Sequence, residues 1–592
     1  MNKPSPAIIA QSAVRRLPRL ALLLFCLAYV LPGFLGRTPW KSADIASFGA
    51  MRELALTGSF WLDPQVLGTR VSLDGLVPYW LGAIGIKVLP FFDVALAARV
   101  PFGLLLALTL VATWYGVYHL ARSPQAQPVA FAFGGEAGPV DYARAMADAG
   151  LLALIACLGL AQLSHETTPA LAQLSFTALA FCAVAVSPWR SDRRLWRPSV
   201  ALVVGLGGLA LSGAPAVAVA LGLGSAAVEW LDARRNADTP QTGTPGETWR
   251  WISIVLVVTL VVAVLAFFLN QWRWRVDLRS LGNLRSLGRL LFWFTWPAGP
   301  LALWTLYRWR RQLASRHVAL PLWFAVVTIA STLLTGSSDR GLLSSLPALA
   351  ALAAFALPTL RRSVASLIDW FTLLFFTGCA FIIWLIWIAM QTGIPRQPAA
   401  NVAKLAPGFE PSFSLLAFAV AVLATLAWAW LVRWRAGRQR AAIWKSLVLP
   451  AGGTTLCWLL LMTLWLPLLD YARSYAPLAA QVARLVDRKA CVQVYGLSSA
   501  QITALQYHAG LDLRHLETGV RCPVMLVDVD AEPNLGLAMD IRQWRRVAAV
   551  RRPTDKDEDL LVFRRRSETP AQGGAESSSA PGSAQTLGAA RP

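Results

Sequence analysis

About thirteen stretches of roughly 20 predominantly apolar residues recur along the chain, and few folds accept such a pattern. They lie at about 17–36, 98–120, 149–164, 170–187, 199–213, 215–230, 251–269, 290–307, 318–335, 341–359, 367–392, 412–432 and 446–468. One helix of that length crosses a bilayer core about 30 Å thick, and in lipid the backbone satisfies its own polar groups only as a helix or a closed barrel. The stretches are too long for barrel strands of about 9–11 residues, so the chain reads as a polytopic α-helical membrane protein. With 56% of residues hydrophobic and 15% charged, too few charges exist to solvate the apolar surface, which excludes a water-soluble globule and a disordered chain alike.

The charge balance is strongly basic, Lys+Arg 54 against Asp+Glu 32 for a net +22. Such an excess fits a nucleic-acid surface or the cytoplasmic loops of a membrane protein. With the N-terminus inside, the inside segments run from Lys3, Arg15, Arg16 and Arg19 to Arg433, Arg435, Arg438, Arg440 and Lys445, and hold about 24 basic residues. The outside segments ahead of the C-terminal region hold about 12, among them Arg37, Lys41 and Arg340. The two-to-one bias assigns most of the charge to topology, with no nucleic acid needed, and an odd span count leaves the C-terminal region outside. The run at 17–36 exceeds the ~7–15 apolar residues of a secretory signal and lacks a small-residue cleavage site, so it reads as the first span.

Residues 1–469 thus form the transmembrane part, with a long external loop at 37–97. Within that loop Ile45, Phe48, Met51, Leu54, Ala55 and Leu56 recur at near-helical spacing between Asp44 and Gly58, an amphipathic helix expected to lie on the membrane surface. A second helix, from Pro78-Tyr79-Trp80-Leu81 onward, is expected to dip back into it. A second external segment, 270–289, nearly repeats Leu278-Arg279-Ser280-Leu281-Gly282 as Leu284-Arg285-Ser286-Leu287-Gly288. Residues 470–566 read as a small α/β domain: helix Tyr471–Val486, strand Cys491–Tyr495, helix Ser499–His508, strand Val524–Asp528, helix Leu535–Val547 and strand Leu560–Phe563. Residues 567–592, rich in Gly, Ser, Ala and Pro, read as a disordered tail. Cys491 and Cys522 are the cysteines of the external domain, each at a strand edge, where a disulfide and two buried thiols are both open readings. No Cys or His spacing fits a zinc site.

The span interiors carry almost no ionisable groups, which weighs against transport. The polar groups that stand out gather on the outer face. Asp44, just beyond the first span, has the place and chemistry to take a proton from an acceptor hydroxyl; the plainer reading is a helix-dipole carboxylate. Glu166, in the short turn His165-Glu166-Thr167-Thr168, could orient an acceptor or bind a divalent metal, or simply open the next helix. Arg273, Arg275, Arg279, Arg285 and Arg289, with Arg340, suit a lipid phosphate, because the guanidinium fork matches phosphate oxygens. Binding of anionic membrane lipids explains them equally well.

Ala43-Asp44-Ile45-Ala46-Ser47-Phe48 with Gly58-Ser59-Phe60-Trp61, then Leu73-Asp74-Gly75-Leu76-Val77-Pro78-Tyr79-Trp80, Ala97-Ala98-Arg99-Val100-Pro101, and Asp339-Arg340-Gly341 leading to Leu346-Pro347 form an ordered series. In order and sidedness it resembles the integral-membrane glycosyltransferases of GT-C fold, in particular glycosyltransferase family 39, the group of lipid A aminoarabinose transferases and protein O-mannosyltransferases. The resemblance implies about thirteen transmembrane helices, a catalytic carboxylate at Asp44 that activates the acceptor, and a second external carboxylate for which Glu166 stands slightly offset. Where that family has a Lys-Pro-Pro-Leu motif this chain has Asp74, keeping Tyr79 and Trp80; the donor-phosphate contact then shifts toward Arg279, Arg285 and Arg340, with Asp74 and Tyr79 among the substrate-binding residues.

The resemblance implies a bacterial inner-membrane enzyme with a cytoplasmic N-terminus and a periplasmic C-terminal domain. It would move a sugar from an undecaprenyl (polyprenyl) phosphate donor to lipid A or another lipid or glycan acceptor, with inversion at the anomeric carbon. The sequence leaves two alternatives open, a flippase of polyprenyl-linked glycans and a non-catalytic envelope-assembly protein.

Overall fold

The structure is a computed structural model that describes residues 5–58, 61–70, 75–186, 195–235, 245–272, 284–336, 339–436, 442–516, 521–555 and 558–566. Every one of the apolar stretches falls on helix. Eight described helices are long and apolar enough to cross a membrane unaided, from Val94–Ala121 to Lys445–Thr463, and Arg19–Val30, Val77–Val88, Pro169–Ala185 and Trp196–Leu211 are shorter apolar helices. The chain is a multi-pass membrane protein.

Burial sorts these helices by depth. Leu346–Ala356 buries every one of its residues and packs beside Pro139–Ala156 and Ala298–Arg308. Leu415–Ala436 lies at the rim and turns Leu415, Leu416, Leu423, Leu426 and Trp430 outward. Large apolar side chains facing out are costly in water and natural in lipid. Glycines let helices approach closely: a Cβ on Gly205 would stand 2.6 Å from the Ala180 backbone.

Several spans differ from their sequence outlines. The third apolar stretch lies on helix Pro139–Ala156, with Pro139 at its first turn, so much of the expected loop before residue 149 is helical; extended backbone at Cys157 then separates it from the short helix Leu160–Leu163. The 290–307 stretch is broken at Trp296-Pro297 into Leu284–Thr295 and Ala298–Arg308. Span helices also carry more buried charge than the sequence suggested. Arg99 donates to the Arg37 carbonyl, Asp148 accepts from Trp114 Nε1 (2.8 Å), and Glu229 pairs with Arg316 (2.8 Å), so burial is compensated by partners.

The loop after the first helix contains helix Ala43–Thr57, the hairpin β1 (Gln65–Val66) and β2 (Thr69–Arg70), and helix Val77–Val88. Helix Ala43–Thr57 starts and stops where its sequence signals lie, with Asp44 in the first turn and Gly58 closing it in left-handed conformation. Its apolar residues Ile45, Phe48, Met51 and Leu54 are buried. Their partners are protein rather than membrane surface: Met51 packs on Gly82 of helix Val77–Val88, and Phe48 meets Tyr507 edge-on at 5.0 Å.

Tyr507 belongs to the C-terminal domain, which therefore docks on the first loop. Its sheet has strands β3 (Val492–Tyr495), β4 (Leu513–His515), β5 (Val524–Asp528), β6 (Trp544–Arg551) and β7 (Asp559–Arg565), in the order β4-β3-β5-β7-β6. β3 runs parallel to β4 and β5, with Val492 opposite Val524, and β7 is antiparallel to β5 and β6. That parallel register brings the N-terminal ends of β3 and β5 together, and Cys491 and Cys522 form a disulfide there, Cα to Cα 5.3 Å. The expected helix Leu535–Val547 is corrected: the helix is Glu532–Ala538, and Trp544 onward is β6. The expected helix Tyr471–Val486 is two helices, Leu466–Arg473 and Ala476–Leu485.

Candidate active site

Two segments meet at the end of the bundle where the C-terminal domain docks. One is the first loop from Arg37 to helix Ala43–Thr57, and the other is the turn Ser164–Thr168 that leads into helix Pro169–Ala185. Asp44 joins them. Its Oδ2 accepts from Arg37 Nη1 (2.9 Å) and the Trp40 amide (3.0 Å), and its Oδ1 accepts from the Thr167 amide (2.7 Å) and Thr167 Oγ1 (2.6 Å). The turn that presents the Trp40 amide holds Ser42 at a φ of 64°, a conformation costing about 1–3 kcal/mol that persists where surrounding bonds over-determine it.

Arg37 extends the junction. Its Nη2 donates to the His165 carbonyl (2.6 Å) and its Nε to the Gly33 carbonyl (2.9 Å), so one guanidinium ties the end of the first span, Asp44 and the turn together. The His165 ring is wedged among Tyr29, Phe34 and Trp458, at centroid distances of 5.6, 5.0 and 4.6 Å. Asp44 is 1% exposed. Burial opposes its charge, but the Arg37 and Arg99 guanidiniums and the Thr167 and Trp40 hydrogen bonds together outweigh that, and its pKa is lowered to about 2.

Glu166, next to Thr167, has a different setting. Its Oε2 accepts from Arg340 Nε (2.9 Å) and Nη2 (2.8 Å), and its Oε1 lies 3.4 Å from Gln162 Nε2. Arg340 precedes the turn Gly341–Ser345 that feeds the central helix Leu346–Ala356. Burial raises the Glu166 pKa and the Asp44 charge adds to it, against the opposing pull of Arg340, so the carboxyl sits above its ordinary value.

A cavity of about 570 Å³ opens at Arg340, with Glu166 and Asp44 behind its lining rather than in it. Leu158, Gly159, Leu163 and Phe294 form an apolar wall, and Gln162, Asp339, Arg340 and Arg473 form a polar end. The wall depends on a close approach: the Gly159 amide donates to the Phe294 carbonyl (3.0 Å), and a Cβ on Gly159 would meet the Phe294 ring at 2.4 Å.

Of the sequence candidates, the structure brings Asp44, Glu166 and Arg340 together. Tyr79 is buried in helix Val77–Val88 and Arg285 is exposed on helix Leu284–Thr295, and neither lines the cavity. Asp74 and Arg279 lie outside the described residues. Sequence reasoning missed Arg37, Gln162 and Arg473 as members of the site; each is a single residue outside any motif. Among the described residues no group of three or more His, Cys, Asp or Glu gathers that could hold a metal ion.

No protein-family model and no curated protein matches the sequence. Solved structures do match. ArnT from Cupriavidus metallidurans bound to undecaprenyl phosphate aligns over 92% of this chain and 98% of its own, with a TM-score of 0.59 and 15% identity. The same protein in the apo state aligns over 92% of this chain and 96% of its own, with a TM-score of 0.58 and 15% identity. The oligosaccharyltransferase AglB from Archaeoglobus fulgidus, in complex with an inhibitory peptide and a dolichol-phosphate, aligns over 88% of this chain and 70% of its own, with a TM-score of 0.40 and 13% identity. The alignment with ArnT runs through nearly the whole of both chains, and at that identity what it carries is architecture: the chain has the GT-C glycosyltransferase fold.

Proposed function

We propose that the protein transfers a sugar from an undecaprenyl phosphate donor to a hydroxyl or phosphate of an envelope acceptor, lipid A or another lipid or glycan. The observation that carries this reading is the cavity itself, an apolar wall of Leu158, Leu163 and Phe294 running into a polar end that presents Arg340 and Arg473 beside Asp339, with two buried carboxylates behind it. A polyprenyl chain suits the first part and its phosphate the second. The ArnT structure bound to undecaprenyl phosphate supports the same donor class. The loop-charge bias supports a cytoplasmic N-terminus, about thirteen spans, and a site and C-terminal domain on the periplasmic side of a bacterial inner membrane.

In the proposed reaction an acceptor oxygen attacks the anomeric carbon and loses its proton as the bond from that carbon to the lipid-phosphate oxygen breaks. The departing electron pair stays on the phosphate, whose charge the arginines stabilise. Position within the loop favours Asp44 as the proton acceptor, but four donors already fill its carboxylate and lower its pKa. Glu166, paired with the cavity-lining Arg340 and Gln162 and with a raised pKa, is the better base, while ionised Asp44 holds Arg37 and the Thr167 turn in register. Arg340 uses Nε and Nη2 on Glu166, which leaves Nη1 to reach the phosphate. Exposed Arg285 suits membrane lipid headgroups.

The test is reconstitution of the purified protein in vesicles with a sugar-loaded undecaprenyl phosphate and lipid A, read by acceptor mass. Sugar addition with inverted anomeric configuration is expected. A retained configuration contradicts the single displacement, and donor that binds without any transfer across envelope acceptors sinks the enzyme reading.

A further inference from the structure

Arg340 and Arg473 line the head of the cavity, Arg37 lies behind it on the ring that also carries Arg473, and two of the three are committed. Arg37 pairs with Asp44 at 2.9 Å and Arg340 with Glu166 at 2.8 Å. Arg473 lines the same cavity, and among the described residues its guanidinium has no carboxylate or hydrogen-bond acceptor. It rests instead over the Trp40 indole, 5.3 Å from the ring centroid, and the same ring carries Arg37 at 4.7 Å. Burial disfavours its charge, the Glu166 charge draws it and the Arg340 and Arg37 charges repel it, so an anion at the cavity head would give it a close partner it otherwise lacks among the described residues.

The backbone beneath this guanidinium is held from two sides. Arg473 ends the helix Leu466–Arg473, and its carbonyl accepts from the Lys41 amide (2.6 Å). The Ala472 carbonyl accepts from Arg552 Nη1 (3.1 Å) and Thr554 Oγ1 (2.9 Å) of the C-terminal domain. One turn back, Asp470 Oδ1 accepts from the Thr38 amide (3.0 Å), Thr38 Oγ1 (2.8 Å) and Trp40 Nε1 (3.0 Å). The first loop and the C-terminal domain together fix the position from which an uncommitted cation faces the cavity. Such preorganisation, with the side chain braced on an aromatic ring, is what a phosphate receptor needs, because little ordering remains to be done on binding.

We infer that Arg473 is the phosphate-binding residue of this cavity, taking the phosphate of a polyprenyl-phosphate lipid, while Arg340 is shared between that phosphate and Glu166. This rests on the reading of the cavity as a lipid-phosphate donor site. It also gives the C-terminal domain a part in the site, since Arg552 and Thr554 hold the segment that presents Arg473.

The full-length protein in phosphatidylcholine nanodiscs is titrated with undecaprenyl phosphate, with tryptophan fluorescence as the readout because Trp40 lies under the guanidinium. Wild type, Arg473→Gln, Arg473→Lys and the exposed C-terminal-domain control Arg545→Ala are compared. Loss of a charge-assisted contact weakens binding by about 10- to 100-fold in Arg473→Gln, with Arg473→Lys intermediate, the control unchanged and thermal unfolding of all variants like wild type. In turnover, KM for the donor rises in Arg473→Gln and kcat changes less. Wild-type binding with unchanged affinity in Arg473→Gln overturns the assignment and leaves the donor-site reading intact. No wild-type binding overturns both. Phosphatidylglycerol or inorganic phosphate competing as well as undecaprenyl phosphate marks a general anion site and overturns the assignment.

Discussion

Asp44 and Glu166 are buried carboxylates at the same end of the bundle, each with an arginine within 2.9 Å, and the Thr167 that binds the first follows the second in the chain. Their settings nonetheless push them in opposite directions. Asp44 faces inward, where Arg37, Arg99, Trp40 and Thr167 supply more favourable electrostatics than burial removes. Glu166 lies behind the cavity-lining Arg340, and that one partly exposed arginine does not offset burial and a neighbouring negative charge. In the proposed reaction the same functional group serves as a structural clamp in one place and as a proton acceptor in the other, and the number of donors on each carboxylate makes the difference.

The sharpest way to break that comparison is to remove each carboxylate by isosteric exchange. Glu166→Gln is expected to lower turnover by about 10²–10⁴-fold, the usual worth of a general base, with undecaprenyl phosphate binding retained. If Asp44→Asn gives that loss in a protein of normal stability while Glu166→Gln stays near wild type, the two roles are reversed. Arg37→Ala is expected to cost about 3–5 kcal/mol of stability, since it leaves a buried carboxylate unpaired. Denaturant unfolding in detergent checks this, and Arg37→Ala combined with Asp44→Ala should cost little beyond the single change, which an uncoupled pair would not show.

Gly159→Ala probes the cavity wall alone. The added methyl must displace the Phe294 ring, and overpacking of that kind costs about 1–3 kcal/mol; a raised donor KM with unchanged sensitivity to Arg37 substitution is the expected signature. The smallest effect is on pH. Asp44 has a folded pKa of about 2, below its unfolded value of about 3.9, so its stabilisation is complete above the unfolded value and lost as pH falls through about 2. Glu166 has a raised folded pKa, so its ionisation weakens the fold as pH climbs past its unfolded value of about 4.3. Unfolding temperature followed from pH 3 to 7 should show Glu166→Gln gaining on wild type toward neutral pH and Asp44→Asn losing; parallel curves for both would remove the electrostatic contrast.

Much of the fold was legible because its signals are local. Asp44 and Gly58 bracket helix Ala43–Thr57, and the short apolar run opening Val524–Asp528 is a strand as expected. The misread element, Trp544–Arg551, mixes arginines with alanines and valines as a surface helix would, and it is a strand because β7 offers it an edge to pair with. The amphipathic face of Ala43–Thr57 was visible in the sequence, but its occupant was not. Tyr507 lies far along the chain, and an apolar stripe is the same whether lipid or protein covers it.

Hydropathy and loop charge belong to individual segments, so the sequence by itself determined a helical membrane protein, the rough placement of its apolar helices and the carboxylates worth watching. Which carboxylate is saturated and which arginine is left uncommitted depends on partners that sequence distance hides. Thr167 reaches Asp44 across 123 positions and Thr38 reaches Asp470 across 432. Only the tertiary structure decides those pairings, because a buried charge is stabilised by whatever donors the packing brings within about 3 Å, not by its neighbours in the chain.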